Sequence, residues 1–203
     1  MVARRDGWWG VAFVLGVVIG AGVVSLPASS STPARIAAFY QQHTVAVIVT
    51  QLVGLAAAVA FVMFLRTVLA GARSRMVQAT GGLVVLAQLL TAAPVLALAV
   101  IQSAEPVTFT RLTQLSELAD DVLFVAIALF CAELALTATQ LWLRILAGVV
   151  AALALARGVE ASLGGGLLDA VAPSAFLLLV LVISVHFLLQ RQVSQTAGTR
   201  WPA

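Results

Sequence analysis

Few side chains in this sequence pair a reactive group with an unusual position, and the first of them is Glu133. It stands inside the apolar part of LADDVLFVAIALFCAELALTATQLWLR, residues 118–144. An ionisable group within a membrane span is costly, faces protein or a cavity, and marks a candidate site. Desolvation favours the uncharged carboxyl, so Glu133 is expected to hydrogen-bond polar neighbours at its own depth. Two are available on the preceding helix. Gln88 offers an amide, and Pro94, which has no N–H, frees the main-chain carbonyl of Leu90 and is expected to kink its helix. At about 1.5 Å per residue, Glu133 lies about 18 Å from Asp121, and Gln88 about 12 Å from Thr80. Both depths fall near the middle of a hydrocarbon core of about 30 Å. The sequence therefore predicts a polar node of Glu133, Gln88 and the Leu90 carbonyl between the third and fourth helices. Thr137 and Gln140 continue the polar face, and His186, about 8 Å nearer the cytoplasmic side, is the candidate for a next proton station. Such a node either fastens two helices or takes part in proton-linked transport or ligand binding.

Other chemistries lack their residues. His43 and His186 are expected at opposite membrane faces, too far apart to share a metal or clamp a haem. Cys131 is the only cysteine. It excludes a disulfide framework and a paired-cysteine metal site, and its expected role is packing. No HExxH, Walker A or GxSxG pattern occurs. Ser29, Ser30 and Ser31 form a loop cluster with no base nearby in the sequence. No catalytic residue, metal ligand or cofactor is expected.

The elements that must position these groups follow from composition. The chain has 203 residues, of which 62% are hydrophobic and 9% charged, against about 25% charged in a soluble domain. No water-soluble fold hides that much apolar surface, so the bilayer must be the solvent. The arginines are scattered at span ends without a basic helix or an aromatic platform, which excludes nucleic acid as a partner.

Hydrophobic runs predict an all-α bundle of six transmembrane helices, at about 9–27, 44–70, 77–102, 120–138, 145–163 and 167–189. They form one domain, residues 1–190, followed by a cytoplasmic tail, 191–203. Two short amphipathic helices are expected on the extracytoplasmic membrane surface. One is Ala34–Gln42, started by Thr32 and Pro33; the other lies within 103–119, with Phe109, Leu112, Leu115 and Leu118 on its apolar face. The run from Val122 to Ala156 would be about 52 Å long as a single helix, so it must break, at the polar stretch 137–144. The first apolar run reads as an uncleaved helix. Its Ala12, Gly16 and Gly20 make a small-residue stripe for close packing against another helix of the chain or of a second copy. Arg157 and Glu160, three residues apart, are expected to pair. Gln51 is expected to bond across to a neighbouring helix, and Gly164, Gly165 and Gly166 to make the last turn.

Orientation follows from the arginines. With the N-terminus inside, Arg4, Arg5, Arg66, Arg73, Arg75, Arg144, Arg191 and Arg200 are cytoplasmic, and Arg35, Arg111 and Arg157 are outside. This satisfies the positive-inside rule and places both termini in the cytoplasm. Glu105, Glu117, Asp120, Asp121, Glu160 and Asp169 then all lie outside, with the Asp120-Asp121 pair marking the outer boundary.

The segments PARIAAFYQQH, FLRTVLAGAR and LTQLSELADDVLFVAIALFCAELAL resemble a group of uncharacterised actinobacterial membrane proteins with six predicted spans, over about residues 1–160. Members often read P-S-A-x-E-I-A-x-Y-Y-x-x-H at the first outer loop. Pro33, Ile36, Ala37, Phe39, Tyr40 and His43 fit that pattern, while Arg35 replaces the usual acid. A Pro-Arg-Trp-Leu-Gly-Trp element of the group remains here only as Trp142-Leu143-Arg144. The resemblance implies six spans and no particular activity.

From these readings the expected function is a non-enzymatic accessory or interaction subunit of the cell envelope, in the cytoplasmic membrane. Its expected partners are the lipid bilayer and other membrane proteins or a second copy. The alternatives are a small proton-linked transporter or ligand-binding protein built on Glu133, and a lipid-acting membrane enzyme using Asp120 and Asp121. The last requires a second cluster of acids, or a base, facing those two.

Overall fold

The computed structural model describes residues 6–71, 74–101, 105–162 and 166–198. Arg4, Arg5, Arg73, Arg200, Gly164 and Gly165 fall outside them. The described chain folds into six helices: α1 Asp6–Val23, α2 Pro33–Gly71, α3 Arg75–Val100, α4 Pro106–Thr137, α5 Leu141–Ser162 and α6 Leu168–Gly198. No strand occurs among the described residues. Four helices contain stretches long and apolar enough to cross a membrane: Pro33–Arg66, Arg75–Val100, Leu141–Glu160 and Leu168–Leu189. The apolar part of α1, Gly7–Val23, is shorter. In α4 the sustained apolar run starts only after Asp120 and Asp121, and Glu133 interrupts it.

Each helix packs on the next, and α6 returns to α1, closing the ring. α2 also meets α4 across the middle. The core is centred on Phe61, which is fully buried. Its ring lies 4.8 Å from Phe13, 6.0 Å from Phe64, 6.1 Å from Phe130 and 5.9 Å from Phe176, so one side chain joins α1, α2, α4 and α6. Cys131 is buried in the same core. The outside is apolar as well: Leu15, Val18, Ile19, Leu52, Val59, Leu86 and Leu178 are exposed. In lipid such a surface carries no hydrophobic penalty, and helix association rests on close packing and hydrogen bonds.

α1 supplies the close packing. A Cβ added at Gly16 would lie 2.9 Å from Ala57 Cβ, and at Gly20 it would be 3.8 Å from the Thr50 carbonyl oxygen. Gly16 and Gly20 of the expected stripe thus lie against α2 of the same chain, whereas Ala12 is exposed. Gly7 and Gly10 make a second approach, to α6: a Cβ on Gly10 would overlap Ser184 Oγ and lie 2.8 Å from the Phe64 ring.

Of the two amphipathic segments, one meets expectation and one differs. The first is a short helix set off from the rest of α2 by a break at its expected end, whereas the second runs without a break into α4. α2 leaves helical geometry at His43, with φ −115° and ψ 18°; there His43 Nδ1 donates to the Phe39 carbonyl at 3.1 Å and the two rings stack. Ile36, Tyr40 and Phe109 are buried against Val47, Val95, Leu98 and Ala99 in a second core. Ile36, Tyr40 and Phe109 thus meet one another and the end of α3 and are covered by the protein, whereas Leu115 and Leu118 stay exposed, as the sequence assigned them.

The α4–α5 break falls at Ala138, Thr139 and Gln140, within the expected polar stretch. Arg144 Nε donates to the Ala135 carbonyl at 3.2 Å, satisfying an oxygen left free at the end of α4. Gln140 and His186 approach through their Nε2 atoms at 3.3 Å, and the Trp142 ring stands edge-on to His186 at 5.2 Å. The turn is therefore tied to α6. α6 runs on to Gly198, past residue 191, where the sequence placed the start of the tail.

Candidate functional site: an arginine among three carboxylates

The polar groups converge at the end of the bundle formed by the first halves of α2 and α4, the ends of α3 and α5, and the start of α6. Arg157, near the end of α5, is at the centre. Its Nη2 lies 2.6 Å from Asp120 Oδ2, its Nη1 3.4 Å from Asp121 Oδ1, and its Nε 3.2 Å from Asp169 Oδ1. The Nε contact is an ion pair without hydrogen-bond geometry. The guanidinium also lies over the Phe124 ring, 3.9 Å from its centroid, an arrangement that attracts a cation to the ring face. The Arg157 side chain is only 11% exposed, whereas those of Asp120, Asp121 and Asp169 are 41%, 48% and 58% exposed. The positive charge is covered and the negative charges reach water.

Sequence geometry dictates part of this. α4 and α5 form a tight antiparallel hairpin around Thr139. Asp121 and Arg157 each stand 18 residues from that residue, so a straight hairpin brings them level. The expected Arg157–Glu160 pair is replaced. Glu160 turns to the start of α6, where its carboxylate accepts from the main-chain N–H groups of Leu167 at 2.8 Å and Leu168 at 2.7 Å. Helix N-termini leave such donors unsatisfied and favour negative charge. Glu160→Gln is expected to lower stability by about 1 kcal/mol, read as a reduced midpoint in thermal unfolding of the purified protein; an unchanged midpoint would remove Glu160 as the cap.

The cluster forms the wall of a cavity of about 590 Å³, within the range of about 300–1,000 Å³ usual for ligand pockets. Around it stand Tyr40 and Gln51 of α2, Thr91 and Val95 of α3, Thr113, Ser116, Glu117, Asp120 and Asp121 of α4, and the loop after α1. Glu117 fastens that loop: its carboxylate accepts from Ser29 N–H at 2.7 Å and from Ser29 Oγ at 2.5 Å. The serine cluster thus has an acidic neighbour 88 residues away in sequence, one that no local pattern predicts.

The groups singled out in the sequence are distributed differently. Gln88 donates to the Gly54 carbonyl of α2 at 3.5 Å, a long contact. Leu90 has an exposed side chain and Pro94 is buried within α3. Glu133 is half-buried, its main-chain carbonyl accepts from Thr137 Oγ1, and its carboxylate has no hydrogen bond or ion pair among the described residues. No hydrogen bond joins Glu133 to Gln88 among those residues. His186 contacts Gln140 and Trp142, as above. Gln51, expected to bond across helices, lines the cavity.

Chemically, the site suits a positive charge. Four acids, Glu117, Asp120, Asp121 and Asp169, face one base. Each of its three nitrogens lies within 3.4 Å of a carboxylate oxygen, so an anion approaching the guanidinium meets negative charge first. The carboxylates converge on the guanidinium and not on an open centre. Among the described residues no group of three or more His, Cys, Asp or Glu is placed to hold a metal ion. No protein-family model matches this chain, and it is similar to no curated protein and to no solved structure.

Proposed function

We propose that this chain is a six-span protein of the cytoplasmic membrane, with both termini in the cytoplasm, that acts as a non-enzymatic binding subunit. It holds a positively charged group in the acid-walled cavity on the extracytoplasmic side. The reading of α1 and α4 as the remaining two spans rests on the alternating direction of six ring-packed helices, which returns the chain to its starting side. The orientation rests on the bias of arginine in the sequence. The resemblance to actinobacterial six-span proteins agrees with that count.

The observation that carries the functional reading is the Arg157 cluster: a covered guanidinium surrounded by carboxylates that still reach water. Such a wall attracts cations and repels anions. In lipid nanodiscs, ethanolamine is expected to raise the unfolding temperature saturably, whereas acetate and phosphate leave it unchanged. Asp169→Asn, which removes the most exposed of the three carboxylates, is expected to weaken the effect about tenfold, in line with loss of one charge-assisted contact. Equal stabilisation by anions, or an unaltered response in Asp169→Asn, would overturn the reading.

A further inference from the structure

Asp121 faces two spaces. On one side it lines the polar cavity. On the other it stands at the end of a groove of about 520 Å³ between α4 and α5, lined otherwise by Val122, Val125, Ala154, Leu155, Gly158 and Val159. The groove is apolar apart from that one carboxylate. Val122, Val125, Leu155 and Val159 are exposed, on helix faces that the membrane reading turns toward lipid. Gly158 keeps the groove open: a Cβ placed there would meet no atom within 4 Å. From Ala154 to Val159 the groove runs about 8 Å along the helix axis, enough for the first carbons of an alkyl chain.

We infer that the α4–α5 groove is the docking site of a membrane lipid with an ammonium headgroup, its chain lying in the groove and its ammonium at Asp121. This deepens the cavity reading and rests on it, because the same acidic wall selects the charge. Continuity favours a lipid over a soluble amine: the apolar groove begins at the carboxylate where the polar cavity ends. Asp121 is 48% exposed and its ion pair with Arg157 is long, at 3.4 Å, so its carboxylate still favours a headgroup that carries an ammonium over one whose only charge is negative.

The test uses phosphatidylethanolamine carrying a photoactivatable acyl chain, in nanodiscs of phosphatidylglycerol, with labelled peptides mapped by mass spectrometry. Labelling at Val125, Leu155 and Val159 is expected to exceed that of the matching phosphatidylglycerol probe about fivefold. Asp121→Asn is expected to equalise the two probes. Gly158→Leu places a side chain in open space, improves helix propensity, and is expected to reduce groove labelling to the level of other lipid-facing positions while ethanolamine still stabilises the protein. If ethanolamine stabilises the protein but the two lipid probes label the groove equally, or labelling survives Gly158→Leu, the lipid inference falls and the cavity reading stands. If neither ethanolamine nor the ethanolamine lipid is preferred, both fall.

Discussion

Arg157→Ala is expected to lower the unfolding free energy by about 2–4 kcal/mol. Removing one partner of a buried ion pair costs about 3–5 kcal/mol, because the other charge is left without compensation. Here three carboxylates would be left facing one another, which raises the cost. They are also partly exposed, so water and salt screen them and lower it. Loss of the contact with the Phe124 ring adds about 0.5–1 kcal/mol. Arg157→Lys keeps the charge but not the planar fork that reaches three carboxylates, so it should restore only part of the loss. Unfolding in nanodiscs at low and high salt measures this directly. The deficit of Arg157→Ala should shrink at high salt as the freed carboxylates are screened. A stability equal to that of the unaltered protein at low salt would mean that the cluster contributes nothing to holding α4, α5 and α6 together.

A graded series on α1 has the second large effect. Gly10→Ala is expected to cost about 2–3 kcal/mol, at the upper end for inserting atoms into a packed core. Its Cβ would collide with Ser184 Oγ, which is buried and held by a bond to the Val180 carbonyl, and with the ring of Phe64, packed on Phe61. Neither can step aside cheaply. Gly16→Ala, meeting Ala57 Cβ at 2.9 Å, should cost about 1 kcal/mol. Gly20→Ala meets ordinary contacts at 3.8 Å, so the gain in helix propensity of about 1 kcal/mol decides its sign. Combining Gly10→Ala with Ser184→Ala removes the colliding oxygen and should recover part of the loss. If Gly10→Ala and Gly20→Ala melt alike, α1 does not approach α6 as described.

Much of the fold was legible in the sequence because the bilayer restricts the choices. Apolar runs, the polar break before Leu141 and the closeness demanded by Gly16 all follow from one-dimensional pattern. The amphipathic segments were legible as helices, but the burial of Ile36, Tyr40 and Phe109 was not, because an apolar face looks the same whether lipid or protein covers it. Only the fold brings Phe109 to Tyr40 and α3. That continuity of α4 also explains what becomes of Gln88. Counted from the middle of the α3–α4 turn, Gln88 is level with about residue 117 and not with Glu133, some 16 residues or about 24 Å further along a straight helix. Depth below a membrane surface does not reveal this register, because α4 begins well before its apolar run. For Arg157 the opposite holds. Its equal spacing with Asp121 about Thr139 is present in the sequence, but Glu160, three residues away on the same helix, is the nearer acid by local pattern. The tie between Ser29 and Glu117 depends on the return of the loop after α1 across α4, and no local signal announces it.

The central claim is that the acid-walled cavity binds positive charge, and calorimetric titration of ethanolamine into the protein in nanodiscs tests it most directly. The account predicts saturable binding to one site per chain, weakened by salt and reduced about tenfold by Asp169→Asn, with no heat of binding from acetate or phosphate. Binding that is indifferent to both salt and Asp169→Asn, or a preference for the anions, would contradict it.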